Sequence, residues 1–300
     1  MSVSFPELTY TSRRERLVRE SMFWGSLDRL VRNPQGLLGL VILGLLVGAA
    51  IFAPLLTWHE PNIQNASARF MPPSLEHPFG TDELRRDLYS RTLFGLRVSL
   101  ALSLTSVTIG STIGIMFGFF AGYVGGWVDA VMMRLIDALL AFPGLLSALA
   151  IVTILGPSIR NVAIAIAFFS VPSFARLSRA QMLAERNKDY VASAQALGAG
   201  PVRIVFRHIA PNAIAPLLTQ VALFIASAVS VSAALSFLGL GERAPDASLG
   251  GLINTAKSNL QKAWWYPTFP GLALALLLLS LNLLADAVND AINPFARRRA

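Results

Sequence analysis

Apolar residues are concentrated in long runs along the chain, and short polar or charged segments separate these runs. An α-helix needs about 20 mostly apolar residues to cross the hydrocarbon core of a bilayer. Six runs reach this length, and the third and fifth are long enough to tilt or to contain more than one half-helix. The predicted spans are residues 36–56, 98–122, 128–155, 160–180, 212–240 and 268–290. The pattern therefore predicts an all-α, polytopic membrane protein with about six transmembrane helices.

The composition supports a membrane protein. Hydrophobic residues make up 54% of the 300 residues, charged residues make up 14%, and the mean hydropathy is +0.57. A soluble domain carries about 25% charged residues. Lys and Arg outnumber Asp and Glu by 25 to 17, but they flank the apolar runs and form no zinc-finger spacing or long basic tract. We therefore read them as charges that orient the spans, and we expect no nucleic-acid partner.

The distribution of basic residues predicts which side of the membrane each segment faces. Residues 1–35 are polar and rich in arginine, which is typical of a cytoplasmic segment followed by a first span that is kept and not cleaved. Basic residues are more numerous on this side of the six spans than on the other side. Because short cytoplasmic loops carry the excess of Lys and Arg, both termini are predicted to be cytoplasmic.

Several kinds of chemistry have no support in the sequence. The chain contains no cysteine and no Gly-x-x-x-x-Gly-Lys-Ser/Thr loop that would hold nucleotide phosphates. Its three histidines, His59, His77 and His208, are scattered and form no His-Glu-x-x-His site, so no metal site is predicted. The chain itself is therefore expected to bind no cofactor.

An intramembrane enzyme is a distant alternative, because two aspartates lie in apolar runs. Paired carboxylates at Asp137 and Asp286 would suit an aspartyl protease. The preceding residues, Ile136 and Ala285, do not match the motifs of such proteases. We therefore predict that the chain is not an enzyme.

The polar segment at residues 57–97 is predicted to contain an amphipathic helix on the outer surface. Thr81 is suited to cap such a helix, and Leu84 and Leu88 would share one of its sides. Charges of opposite sign are spaced four residues apart within it, which favours the ion pairs Asp82–Arg86 and Asp87–Arg91.

A polar insert at residues 189–211 is predicted to form two short helices that meet at Gly198–Pro201. Gly readily ends a helix, and Pro begins one without losing a needed donor. In the second helix, Val202, Val205, Phe206 and Ile209 have the spacing of one apolar face. The first helix is rich in small residues, which allow another backbone to approach closely, so the insert is interpreted as a docking element.

This insert resembles the cytoplasmic coupling loop, the EAA loop, of ABC importer permeases. Ala192-Ser193-Ala194 stands at the Glu-Ala-Ala triplet of the family, Gly198 at its glycine, and Ile209-Ala210-Pro211 at its end. Ala192 replaces Glu and Ser193 replaces Ala in that triplet. Three further stretches resemble the dipeptide/oligopeptide/nickel subfamily of these importers, namely His77-Pro-Phe-Gly-Thr-Asp82, Asp137-Ala-Leu-Leu-Ala-Phe-Pro143 and Leu235-Ser-Phe-Leu-Gly-Leu-Gly241. In the family, the first of these stretches is followed by Gly-Arg-Asp, and Arg85 stands here in place of that glycine. Ala285-Asp-Ala-Val-Asn-Asp290 departs from the family's C-terminal pattern.

The resemblance implies a type I ABC importer permease fold and a division of the chain. The divisions are a cytoplasmic N-terminal segment at 1–35, a first transmembrane helix and periplasmic loop at 36–97, a core permease domain at 98–290 with its coupling loop at 181–211, and a cytoplasmic tail at 291–300. It implies that the chain is a multi-pass protein of the bacterial inner membrane. It further implies that the coupling residues are Asp189, Tyr190, Ala192, Ser193, Ala194, Gly198, Arg203, Arg207, His208 and Pro211.

The resemblance also implies an activity and partners. The chain would form half of the pathway of a binding-protein-dependent importer, working by alternating access. Its partners would be a second, homologous permease, two cytoplasmic ATPase subunits that use ATP and Mg²⁺, a periplasmic or lipoprotein substrate-binding protein, and membrane lipid. We expect the substrate to be a peptide, with nickel or another small solute as the alternative. A passive channel is a further alternative, and a coupling loop argues against it.

Candidate pathway residues are the polar residues and prolines within the spans. Asp137 is a candidate because ionisable residues inside spans are commonly functional, although a local ion pair with Arg134 near the inner interface is an alternative. Pro143 is suited to kink its helix beside the pathway, and prolines also occur in spans for packing reasons. Ser232 and Ser236 would line a polar path or, alternatively, provide small side chains for close helix contact.

Overall fold

The computed structural model describes residues 33–64, 67, 69–241 and 246–292, and these residues form a helical bundle. Three of the long helices begin at a capping residue, Asn33, Asp87 or Ser158, whose side chain accepts a hydrogen bond from a backbone N–H group. In chain order the helices are α1 (Pro34–Ile51), α2 (Ala53–Leu56), α3 (Leu88–Val124), α4 (Gly126–Leu140), α5 (Gly144–Leu155), α6 (Ile159–Arg186), α7 (Asp189–Ala196), α8 (Pro201–Arg203), α9 (Ala210–Phe237), α10 (Leu249–Ala256) and α11 (Trp265–Ile292).

By length and composition, the described helices provide five continuous membrane crossings, and six when one bent pair is counted as a crossing. Five continuous segments are long and apolar enough to cross a bilayer: α1, α3, α6, α11, and the segment Pro201–Phe237 that contains α8 and α9. The sixth crossing consists of α4 and α5, which are bent by 84° at the break between them. The predicted all-α, six-span organisation is therefore confirmed, and the third span is the one divided into half-helices.

The second span begins ten residues before the predicted start, at Leu88 and not at residue 98. Asp87 caps this helix by accepting a hydrogen bond from the Ser90 backbone N–H, at 2.7 Å. The guanidinium of Arg91, in the first turn, donates to the carbonyl of Pro61 at 3.0 Å. A charged residue is tolerated there because it is bonded to the protein and does not face lipid.

The prediction of an amphipathic helix within residues 57–97 is wrong. Residues 81–87 form a tight turn closed by an isolated bridge between Thr81 and Asp87. The carboxylate of Asp82 accepts from the backbone N–H groups of Leu84 and Arg86, at 2.8 and 2.9 Å, and such local bonds compete with helix formation. The predicted Asp82–Arg86 pair is present within this turn, at 2.7 Å, while Asp87 contacts His77 and not the predicted Arg91.

The centre of the bundle is the close pair of α3 and α6. Glycines recur every fourth residue along the side of α3 that faces α6, and small residues at this spacing let two helices approach closely. A Cβ built at Gly110, Gly114 or Gly118 would lie within 2.6 Å of an α6 backbone oxygen or serine hydroxyl. The fold therefore depends on backbone-to-backbone contact at this seam.

Two further apolar clusters lie at opposite ends of the bundle. At one end, Leu88 and α10 pack against Trp265 and Tyr266, at the start of α11. At the other end, Phe119 of α3 and Met182 of α6 pack against the segment that connects α6 to α9. This second end carries the predicted coupling insert.

Candidate coupling hairpin and translocation path

The insert between α6 and α9 folds into the predicted two-helix hairpin. Helix α7 ends at Ala196, and Gly198 then adopts a left-handed backbone with φ +79°. The Gly198 N–H donates to the Gln195 carbonyl at 2.9 Å, and the next N–H donates to Ala194 at 3.0 Å, so the last carbonyls of α7 are satisfied. Pro201 begins the second arm. We call residues 189–209 the coupling hairpin.

The base of the coupling hairpin is anchored by the carboxylate of Glu185, the last but one residue of α6. Glu185 is 7% exposed. It accepts from the Lys188 ammonium at 2.6 Å and from the Tyr190 hydroxyl at 2.8 Å. Burial and the bond to Glu185 raise the pKa of the Tyr190 hydroxyl, so Tyr190 stays a neutral donor to Glu185.

A second anchor ties the base of the hairpin to α3. The guanidinium of Arg186 donates to the carbonyl oxygens of Gly122 and Tyr123, at 2.8 and 3.2 Å, in the last turn of that helix. A cation is favourable there because the carbonyls at a helix C-terminus carry partial negative charge. The hairpin therefore extends from a fixed base.

Large apolar side chains project from the tip of the hairpin. Leu197 is 88% exposed, Val202 is 72% exposed and Phe206 is 62% exposed. The side chains of Ile204 and Ile209, by contrast, are buried against the bundle. An exposed apolar cluster of this kind on an anchored element is typical of an interaction surface.

The predicted apolar face of the second half of the hairpin is therefore wrong for Val202 and Phe206. Val202 and Phe206 point away from the bundle, and Ile204 takes their place in its core. Residues 204–209 form a π-helical turn, in which the Ala210 N–H donates to the Val205 carbonyl. Because a π turn joins residues five positions apart by a hydrogen bond, Ile204 and Ile209 lie on nearly the same side. The π turn has no recognised signal in this sequence.

The other predicted coupling residues divide between the surface and the base of the hairpin. Six of them are exposed: Asp189, Ala192, Ser193, Gly198, Arg203 and Arg207. Tyr190, His208 and Pro211 are half-buried, and Ala194 is buried. The exposed set combines acidic, basic and small side chains on the same hairpin as the apolar tip.

The broken third span places Asp137 beside α6. Pro143 lies at the break and precedes the first residue of α5. The carboxylate of Asp137 pairs with the guanidinium of Arg176, and not with Arg134 as the alternative interpretation has it. Both side chains of this pair are more than half exposed. A second pair, Asp129–Arg179, joins the same two helices nearer to the hairpin.

A wide apolar groove of about 710 Å³ lies beside the break. It runs between the α4–α5 corner and the middle of α6, where Pro172 interrupts the helical hydrogen bonds. Its lining includes Phe142, Pro143, Phe168 and Ser173. The groove and the Asp137–Arg176 pair lie on neighbouring parts of α4 and α6.

The two serine candidates lie inside the helix packing. Ser232 is 6% exposed and donates to the Val229 carbonyl at 3.0 Å. Ser236 is 7% exposed and lies against Gly241 and Gly250. The cavity that both serines line holds about 10 Å³, enough for about one water molecule. This arrangement favours close helix contact as their use.

The prediction that the histidines are too scattered to form a cluster is wrong for His59 and His77. Their ring centroids are 4.8 Å apart, and Glu76 lies beside them. Only a fold that returns residues 76–77 to the end of the first span brings these side chains together. The third histidine, His208, lies in the coupling hairpin. Asp286, the second membrane aspartate, is exposed on α11.

The comparisons with known proteins agree with this architecture. Residues 114–298 match the family described as binding-protein-dependent transport system inner membrane component, and residues 21–73 match the N-terminal transmembrane domain of oligopeptide transport permease C. The chain is similar in fold to the MetNI methionine ABC transporter in an inward-facing conformation. That match has a TM-score of 0.55 and 16% identity, and covers 68% of this chain and 96% of the other.

Curated relatives match over most of their length. The dipeptide transport system permease protein of Escherichia coli is 43% identical over 269 residues, which cover 88% of this chain and 90% of the relative. The di/tripeptide transport system permease protein of Pseudomonas aeruginosa is 39% identical over 303 residues, which cover 99% of this chain and 97% of the relative. These relatives are named as transport permeases and not as enzymes. The chain has the type I ABC importer permease fold and belongs to the family of binding-protein-dependent transport system inner membrane components.

Proposed function

We propose that this chain is one of two permease subunits of an ATP-driven importer that carries peptides across the bacterial inner membrane by alternating access. The observation that carries the proposal is the exposed apolar tip of Leu197, Val202 and Phe206 on a hairpin with a fixed base. Such a tip is suited to a groove on a cytoplasmic ATPase subunit. The peptide substrate is supported by the names of the relatives.

Three kinds of partner follow from this proposal. Two ATPase subunits bind ATP and Mg²⁺ and receive the coupling hairpins, because this chain lacks a phosphate-binding loop. A second, homologous permease completes the pathway. A substrate-binding protein delivers the peptide at the opposite end of the bundle from the hairpin.

The Asp137–Arg176 pair supports a place for the pathway along α4 and α6. Ionisable side chains at membrane depth face a protein interior or a water-filled cavity, because lipid gives them no partner. Since both side chains are more than half exposed in the single chain, a second subunit or water would cover them in the assembly. We propose that Asp137 and Pro143 border the pathway.

The purified chain is expected to show no ATP hydrolysis above background, because its sequence contains no Gly-x-x-x-x-Gly-Lys-Ser/Thr loop. Reconstituted with its ATPase subunits and second permease, it should support hydrolysis that a delivered peptide stimulates. Steady-state phosphate release measures hydrolysis by the chain alone and by the reconstituted assembly. Phe206→Ser should lower the stimulated rate by removing an apolar contact at the tip. Hydrolysis by the chain alone would refute the proposal that only the partner subunits hydrolyse ATP.

Reporter fusions are expected to place the hairpin and the outer loop on opposite sides of the membrane. Fusions at Gln64 and Asp246 should read as periplasmic, and a fusion at Asn187 should read as cytoplasmic. Three crossings separate Gln64 from Asn187, and one crossing separates Asn187 from Asp246. The measurement is the activity of paired reporters that function only on one side. A cytoplasmic reading at Asp246 is incompatible with the six-span arrangement.

A further inference from the structure

A cluster of three metal-ligating side chains lies where the first span ends and the second begins. One ligand atom each from His59, Glu76 and His77 lies within 4.8 Å of the other two. His59 follows the short helix α2, and Glu76–His77 precede the capping turn of α3. The cluster lies at the opposite end of the bundle from the coupling hairpin, and the proposed function does not use it.

His77 is held in place by the protein before any ion arrives. It is 2% exposed. Its backbone N–H donates to the Ser74 hydroxyl at 3.1 Å, and its carbonyl accepts from Ser74 and Gly80, each at 2.9 Å. The ring Nδ1 lies 2.9 Å from a carboxylate oxygen of Asp87. The backbone and ring of His77 are therefore both fixed.

The contact with Asp87 selects the ring nitrogen that can bind a metal ion. When Nδ1 carries the proton and donates to Asp87, Nε2 keeps its lone pair. Carboxylates orient metal-binding imidazoles in this way and raise their basicity. Asp87 is itself fixed, because its second oxygen accepts from the backbone N–H and the hydroxyl of Ser90, both at 2.7 Å. Asp82, the nearby carboxylate, is instead paired with Arg86.

The set of donor atoms indicates the class of ion. Two imidazole nitrogens and one carboxylate oxygen suit Zn²⁺ and neighbouring transition metals, whereas Mg²⁺ and Ca²⁺ take oxygen ligands. Ligand atoms bound at about 2.1 Å in a tetrahedron lie about 3.4 Å apart. The side chain of Glu76 is exposed and the ring of His59 is half-buried, so separations of up to 4.8 Å can close by the roughly 1.4 Å that this spacing requires.

We propose that His59, Glu76 and His77 bind one divalent transition-metal ion of the zinc class, with Asp87 as the positioning residue for His77. A fourth coordination position remains for water or a further ligand. Because Asp87 also caps α3, the bound ion would link the end of the first span to the first turn of the second. Metal binding would thus make the outer loop rigid at the entrance to the bundle.

The experiment is a titration of the full chain, purified without a polyhistidine tag and stripped of metal by a chelator, with Zn²⁺ alone and with Mg²⁺ alone. We expect one saturable Zn²⁺ site per chain and no competition by Mg²⁺. His59→Asn and Glu76→Gln should each weaken Zn²⁺ binding by at least roughly tenfold, since each removes one ligand. X-ray absorption of the zinc complex should show two imidazole ligands.

Two further variants make the test specific. Asp87→Asn keeps the cap of α3 but should weaken Zn²⁺ binding by about 10- to 100-fold. The matched control is His208→Asn, which removes the histidine of the coupling hairpin and should leave Zn²⁺ binding unchanged. Absence of a saturable Zn²⁺ site, or affinity that persists in His59→Asn and Glu76→Gln, would overturn the proposal. The His59–His77 ring contact would then be a packing contact alone.

Discussion

Gly198→Asp is expected to abolish transport while the chain still inserts into the membrane. At φ +79° a side chain at this position is strained by about 1–2 kcal/mol, and the new carboxylate would also have to leave water when the hairpin enters a protein groove. Nothing lies within 4 Å of a Cβ built there, so the change acts on a partner and not on the packing of the chain. An unpaired buried charge costs several kcal/mol, so we expect ATPase association to weaken on the order of 100-fold.

Uptake of labelled peptide and co-purification of the ATPase subunits measure the two effects. Gln64→Glu is the matched control, because it adds a carboxylate at an exposed position at the opposite end of the bundle. It should retain transport and ATPase association. Full transport by Gly198→Asp would mean that the hairpin only connects two spans.

Gly118→Ala is expected to destabilise the whole bundle. A Cβ at this position would lie 2.1 Å from the carbonyl oxygen of Ala175 and from the hydroxyl of Ser178, so α3 and α6 must move apart. Overpacking of this kind costs about 3 kcal/mol. The midpoint of thermal unfolding in detergent should fall by roughly 5–10 °C, and less protein should accumulate in the membrane.

Gly44→Ala is the matched control for this prediction. It makes the same change in α1, where nothing lies within 4 Å of the new Cβ. Because alanine is the better helix former, this variant should be as stable as the parent chain or slightly more stable. Equal unfolding midpoints for Gly118→Ala and the parent chain would contradict the close contact between α3 and α6.

The helical spans were predictable because their signal is large. A run of about 20 apolar residues has few structural alternatives to a helix that spans the membrane. The break of the third span falls at Pro143, and the following residue starts a new helix. The hairpin was predictable for a similar reason, since Gly198 and Pro201 fix its turn locally. Both features depend on residues that are close in sequence.

The features that the sequence did not predict depend on contacts between distant residues or on small energy differences. The turn at residues 81–87 forms because Asp82 bonds the backbone, which competes with a helix that the charge spacing also favours. The Asp137–Arg176 pair joins residues 39 positions apart, and the nearer Arg134 was the plausible partner from spacing alone. The approach of His59 to His77 depends on the path of a whole loop.

The π turn at residues 204–209 joins the coupling hairpin to the fifth span without a loop between them. The helical path runs without interruption from Pro201 to Phe237, over 37 residues and about 55 Å. In a straight helix of this length, a rotation of about 5° at the hairpin would displace the far end by about 5 Å, and Pro216 within α9 sets where this helix can bend. One helical segment of this chain thus connects the proposed ATPase contact to the opposite side of the membrane.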